Sequence, residues 1–134
     1  MNAYEYINSS VKYETKQKEV ATIVNVISPL IIESTTSNSM ADVLNFQTGL
    51  RVEETCSNCG VPQIRINGLE GQYTQILMDS RPIFSSLASV YGLEQLPAGM
   101  VDRVEVIRGG GSALYGANAI AGVVNIITKE PNRN

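Results

Sequence analysis

Apolar positions along this chain fall into short runs, most of them with the two-residue period of strands. Val20, Thr22, Val24 and Val26 alternate with Ala21, Ile23 and Ile27, so Val20 to Ile27 reads as a strand apolar on both faces. Such a strand belongs in the middle of a sheet or under cover on both sides, and Pro29 ends or bends it. The loop Ser34 to Ser39 is rich in helix N-caps, and Met40, Val43 and Leu44 follow at helical spacing with Asp42 in the first turn. Gly49 suits the residue just past that helix. Leu50–Glu54 and Ile64–Ile66 read as short strands. Asn67-Gly68 and Glu70-Gly71 are turn signals, Gln75–Met78 is a strand, and Asp79–Pro82 is a turn. Ile83–Pro97 is a longer connection in which 85–95 has room for a helical turn or two. Met100–Ile107 and Val123–Thr128 are the strongest strands. Residues 1–18 are polar and poorly patterned and read as an arm or linker, leaving 19–134 as the domain. The fold class expected is α+β: a small mixed sheet of about four strands, short helices and long loops.

Composition narrows the chemistry. A chain of 134 residues suits one core. Its net charge of −3 argues against nucleic acid as a partner, since phosphate neutralisation needs a basic surface. With no histidine, the commonest general base, the commonest metal ligand and the Ser-His-Asp triad are all missing. No enzyme, cofactor or metal site is expected. No apolar run has the length of a membrane helix, and Met1 opens neither a basic n-region nor an apolar h-region. The cysteines form Cys56-Ser-Asn-Cys59. A structural disulfide, a redox or metal role and two free thiols all stay open. Gly60 and Pro62 follow instead of the helix a redox pair prefers, and two thiolates fill only part of a zinc shell.

The stretch Val104 to Lys129 is the most distinctive. It joins two β-branched strands through residues that are mostly Gly, Ala, Ser and Asn. Gly111-Ser-Ala-Leu-Tyr-Gly116 has the spacing of half a P-loop, but Ala117 and Asn118 replace the lysine and the hydroxyl that hold phosphate and Mg²⁺. The dinucleotide fingerprint fails at Leu114. A close-packed connection using glycine for unusual φ and close approach fits better, yet it leaves Arg108 and Tyr115 without a reason.

The order of motifs supplies one. Asp79-Ser-Arg-Pro82, Asp102-Arg-Val-Glu-Val-Ile-Arg-Gly109, Ser112-Ala-Leu-Tyr-Gly116 and Gly122-Val-Val-Asn-Ile-Ile-Thr-Lys129 together resemble the plug domain of TonB-dependent outer-membrane receptors, from about Val20 to Pro131. Two positions depart from the pattern. Gly110 stands where proline is usual, and Asp79-Ser80 where Asp-Gly is common. The Cys-Ser-Asn-Cys turn is not general to the family.

The resemblance implies a domain held inside a barrel of about 22 strands. The barrel itself is not in this sequence. By the same resemblance, Arg65, Arg108, Gly109 and Tyr115 are candidate contacts to the barrel wall, with the arginines pairing to wall carboxylates. The competing reading pairs Arg108 with a carboxylate of its own domain, such as Glu105. Two loops are candidates for substrate contact. One supplies Leu69, Glu70, Gln72 and Tyr73, the other Ile83, Phe84 and Tyr91, with the aromatic rings available for stacking. Plain core packing competes for Phe84, and plain solvation for Glu70 and Arg81. The implied role is the gate of a transporter for a large scarce nutrient such as a ferric siderophore, haem or cobalamin. The implied setting is the outer membrane, with the N-terminus facing the periplasm and a TonB box upstream that the TonB protein pairs with by strand addition. The domain alone is expected to be soluble. The alternative is a free-standing periplasmic binding module with a plug-like fold.

Overall fold

The computed structural model describes residues 6–7, 15–16, 23–54, 62–83, 93, 95–109 and 112–130. Within the arm, β1 (Tyr6–Ile7) and β2 (Thr15–Lys16) form a short antiparallel ribbon. The domain then runs β3 (Val24–Ile27), α1 (Pro29–Ser34), α2 (Met40–Asn45), β4 (Leu50–Glu54) and β5 (Pro62–Ile66). It continues with β6 (Thr74–Met78), β7 (Arg81–Pro82), β8 (Val101–Arg108), a one-turn helix α3 (Ser112–Tyr115) and β9 (Gly122–Thr128).

Among the described residues, five strands form a mixed sheet in the order β3-β8-β9-β6-β7. The β6–β9 pair is parallel and the others antiparallel. The class is the expected α+β, with one strand more than the four expected. The added strand is β7, which the sequence offers only as a turn. It lies at the sheet edge, where the missing N–H of Pro82 breaks no ladder. β4 and β5 stay outside this sheet as their own antiparallel ribbon.

Two expectations change with the structure. Among the described residues β3 is not central but an edge strand, paired only to β8. Its apolar residues divide: Val24 and Ile27 are buried, whereas Ile23 is 81% exposed. Helix α2 stops at Asn45 with Phe46 as its C-cap. Gly49 instead occupies the third position of a turn closed by Leu50 N–H donating to the Gln47 carbonyl at 3.1 Å, where its φ of +77° is the type II requirement. Pro29 opens α1, the position at which a missing N–H costs nothing. The Ser39 cap is as expected: its hydroxyl accepts from Asp42 N–H and donates to the Asp42 carboxylate.

The sheet is covered on both faces. On one, Val104, Val106, Val124, Ile126 and Ile76 pack against α1, α2 and the β4–β5 ribbon, whose Met40, Val43, Leu44, Ile64 and Ile66 are buried. Each such side chain contributes about 1.5–3 kcal/mol. On the other, Val24, Ile107, Val123 and Leu77 pack beneath Ala119 and Tyr115. Register fixes the ends. Thr74, Arg108 and Val24 lie at the Gly122 end, and Met78, Val101 and Ile27 toward the Thr128 end.

Candidate functional site

The chain's chemistry gathers at the Gly122 end, where β8 hands over to the glycine-rich connection. Side chains alternate along β8, so Arg103, Glu105 and Ile107 point to one face and Val104, Val106 and Arg108 to the other. That parity settles where Arg108 can reach. Its guanidinium Nη2 donates to the Thr48 carbonyl and lies against Gly49. Its Nε is buried and has no acceptor among the described residues. Glu105 faces the opposite side and is fully buried, with Arg103 Nε 3.1 Å from its Oε1. Arg103 Nη1 also holds Asp102 at 2.9 Å. The own-domain partner suggested for Arg108 is therefore taken by a different arginine.

Arg65 comes to the same neighbourhood from β5. The Gly49–Leu50 turn separates two openings: a groove of about 580 Å³ that Arg108 lines with β3 residues, and a cleft of about 380 Å³ that Arg65 lines with Asn67. Arg65 Nε lies 2.7 Å from Glu53 Oε2, off the line of a hydrogen bond. Asn67 and Gly68 form the tight turn between Ile66 and Leu69, both at positive φ.

Gly109 and Tyr115 share this end but not this face. Gly109 (φ +69°) turns the chain out of β8 and donates its N–H to the Ala121 carbonyl at 2.9 Å. A Cβ there, or at Gly116, meets open space, so conformation and not crowding calls for glycine at both. Gly122 is the crowded one: its Cβ would lie 2.2 Å from the Ile107 carbonyl oxygen. Tyr115 packs on the Glu105 face, and burial, then the Glu105 carboxylate, raise its phenol above the ordinary value.

Of the substrate-loop candidates, the Leu69–Tyr73 loop is described in full and the second loop only at its first residue, Ile83. Leu69, Glu70, Gln72 and Tyr73 are exposed at the Gly122 end, with Gln72 Nε2 donating to Glu70 at 2.7 Å. Ile83 is half-buried against the core and lies level with the middle of β6, its N–H donating to the Ile76 carbonyl at 3.1 Å. Phe84, Tyr91, Cys56 and Cys59 lie outside the described residues. Arg81 is exposed, in line with plain solvation.

The sequence motifs missed a polar latch at the Thr128 end. Asp79 and Ser80 both have positive φ, 48° and 66°. Buried Asn125 offsets that cost by accepting from Ser80 N–H at 3.0 Å, and Asp79 accepts from Thr128 N–H and its hydroxyl, both at 2.9 Å. A serine thus tolerates the place where glycine is usual. The available signal was the polar Asn125 inside an otherwise apolar strand. No group of described residues has the makings of a metal site.

This arrangement of a mixed sheet, a glycine-rich turn behind an arginine and a separate ribbon defines a plug. Residues 16–123 match the family model described as TonB-dependent Receptor Plug Domain, and the chain belongs to that family. Among characterised relatives, the vitamin B12 transporter BtuB of Vibrio vulnificus (strain CMCP6) is 36% identical over 117 residues, covering 87% of this chain and 19% of the relative. Among solved structures, the ferric enterobactin receptor PfeA of Pseudomonas aeruginosa, as its R480A mutant with enterobactin, superposes with a TM-score of 0.67 at 31% identity, covering 87% of this chain and 19% of that one. The alcaligin outer-membrane receptor FauA of Bordetella pertussis, at 22% identity and TM-score 0.73 over 97% of this chain and 22% of its own, shows the shared fold alone. The chain spans about a fifth of the length of the curated relatives it matches. These relatives are transporters and receptors, not enzymes.

Proposed function

We propose that the chain gates an outer-membrane active transporter for a large scarce nutrient, a ferric siderophore, haem or cobalamin, by filling the lumen of the receptor's barrel. The observation that carries this reading is Arg108. Its Nε is buried, it has no acceptor among the described residues, and it lies in an open groove at one end of the sheet. Such a group calls for an outside carboxylate. The barrel wall supplies it, and Arg65, across the Gly49–Leu50 turn, stands at the same end for a neighbouring contact.

Strand direction orients the gate. β3 begins at the Gly122 end, so the N-terminal arm enters there. If TonB pulls on a segment upstream, that end faces the periplasm, and the substrate meets the opposite end. Leu69–Tyr73 then belongs to the periplasmic side, which leaves the loop that begins at Ile83, with Phe84 and Tyr91, as the candidate for the substrate. This divides the two loops that the sequence offers for one role.

The test uses the receptor with its barrel. Arg108→Glu places like charges together, and is expected to abolish nutrient-dependent growth and to admit large antibiotics while receptor abundance stays unchanged. Normal growth and an intact permeability barrier in that variant would overturn the reading.

A further inference from the structure

The outer face of the β4–β5 ribbon carries more positive charge than it neutralises. Arg51 and Arg65 are cross-strand partners, so their guanidinium groups stand side by side on the face opposite buried Leu50, Ile64 and Ile66. One carboxylate serves both. Arg51 Nε lies 3.1 Å from Glu53 Oε1, and Arg65 Nε lies 2.7 Å from Glu53 Oε2. Both contacts run through Nε. Among the described residues no hydrogen-bond acceptor engages the terminal nitrogens of either arginine. Both arginines line the open cleft of about 380 Å³, together with Glu53, Asn67 and Gly49.

Two cations, one anion and an open cleft leave room and charge for a second carboxylate. The side chains of Arg51, Arg65 and Glu53 are 75%, 37% and 29% exposed, so the internal pair is the weak, solvent-screened kind that exchanges readily. We propose that this cleft is a carboxylate seat for the wall around the domain, and that Glu53 is its displaceable internal occupant. An incoming carboxylate engages the planar forks of Arg51 and Arg65, and Glu53 turns out to solvent. A carboxylate fits better than a phosphate because the seat holds a net charge of only about one and keeps Glu53 nearby. The seat adds Arg51 and Glu53 to the wall contact proposed above and rests on that reading for the source of the carboxylate.

The experiment follows the arginine side-chain ¹⁵N resonances of the chain during titration with malonate. Arg51 and Arg65 are expected to shift together. Glu53→Gln, which removes the internal competitor, is expected to tighten malonate by up to about fivefold, the range of an exposed ion pair. Arg51→Met and Arg65→Met are expected to weaken it. No shift, an unchanged affinity in Glu53→Gln, or inorganic phosphate binding as tightly as malonate would each overturn the seat. In the assembled receptor, phenylglyoxal is expected to modify Arg51 and Arg65 far more slowly than in the chain alone. Equal rates, with malonate bound by the chain, would make the occupant a free carboxylate and overturn the wall as its source. Arg108→Glu reports on the gate independently, so failure of the seat leaves that reading standing.

Discussion

At the residue scale, position along a strand decides what a charge can do. Arg103 and Arg108 belong to one motif and one strand, but their odd and even places send them to opposite faces. Arg103 neutralises Glu105, which is fully buried. Arg103→Met is expected to destabilise the chain by about 3 kcal/mol, because a buried carboxylate loses its cation. The double variant Arg103→Met with Glu105→Leu should recover much of that, and urea denaturation of the set measures both effects. Gly122 has a different constraint. Its missing side chain lets β9 approach Ile107 and Ile66. Gly122→Ala must move β8 and β9 apart, at a cost of about 1–3 kcal/mol, read as a lower urea midpoint with an unchanged slope. Beyond residue type, neither assignment was legible in the sequence. Alternation shows that Arg108 and Glu105 differ in face, but only the partner elements show which face is core and which is open.

At the element scale, the strongest strands were legible because runs dense in β-branched residues leave few other conformations. β8 and β9 emerge close to their expected bounds. The edge position of β3 was not legible. Apolar residues on both faces of a strand predict cover, and here the cover comes from α1 and the second face's packing, not from a strand on each side. The β4–β5 ribbon was seen as two strands, but nothing local says that they pair apart from the main sheet. The connection α3 is held to the sheet partly through Tyr115, whose phenol has its pKa raised above 10.0 by burial and by Glu105. A raised phenol pKa means the folded state holds its proton longer. The contribution is complete below the ordinary phenol value and is lost as pH rises through the folded one. Thermal stability is therefore expected to fall above about pH 10 more steeply in the unaltered chain than in Tyr115→Phe. Parallel melts across that range, with equal slopes as the contrary result, check it.

At the scale of the whole molecule, the sheet is covered on both faces by apolar clusters built from the chain's own helices, ribbon and glycine-rich connection. Such a core is expected to unfold cooperatively without a barrel around it, as a single sharp transition by near-ultraviolet circular dichroism. A gradual melt would place the domain's stability in its surroundings instead. The two ends of the sheet have different characters. One gathers Arg108, the glycine turn and the exposed Leu69–Tyr73 loop, and the other carries the Asp79–Thr128 latch.

The sequence by itself determined the family, the mixed α+β class and the main strands. Each of those rests on local information: motif order, period-two alternation, and residues such as Ser39 that shape the backbone beside them. Only the tertiary contacts establish that Arg103 and not Arg108 serves Glu105, that Arg65 and Arg108 flank one turn, and that the Leu69–Tyr73 loop lies at the Gly122 end of the sheet. Those facts depend on which strand lies beside which, and in which direction each runs. Pairing across a sheet is set by contacts between residues far apart in the chain, and no local pattern encodes it.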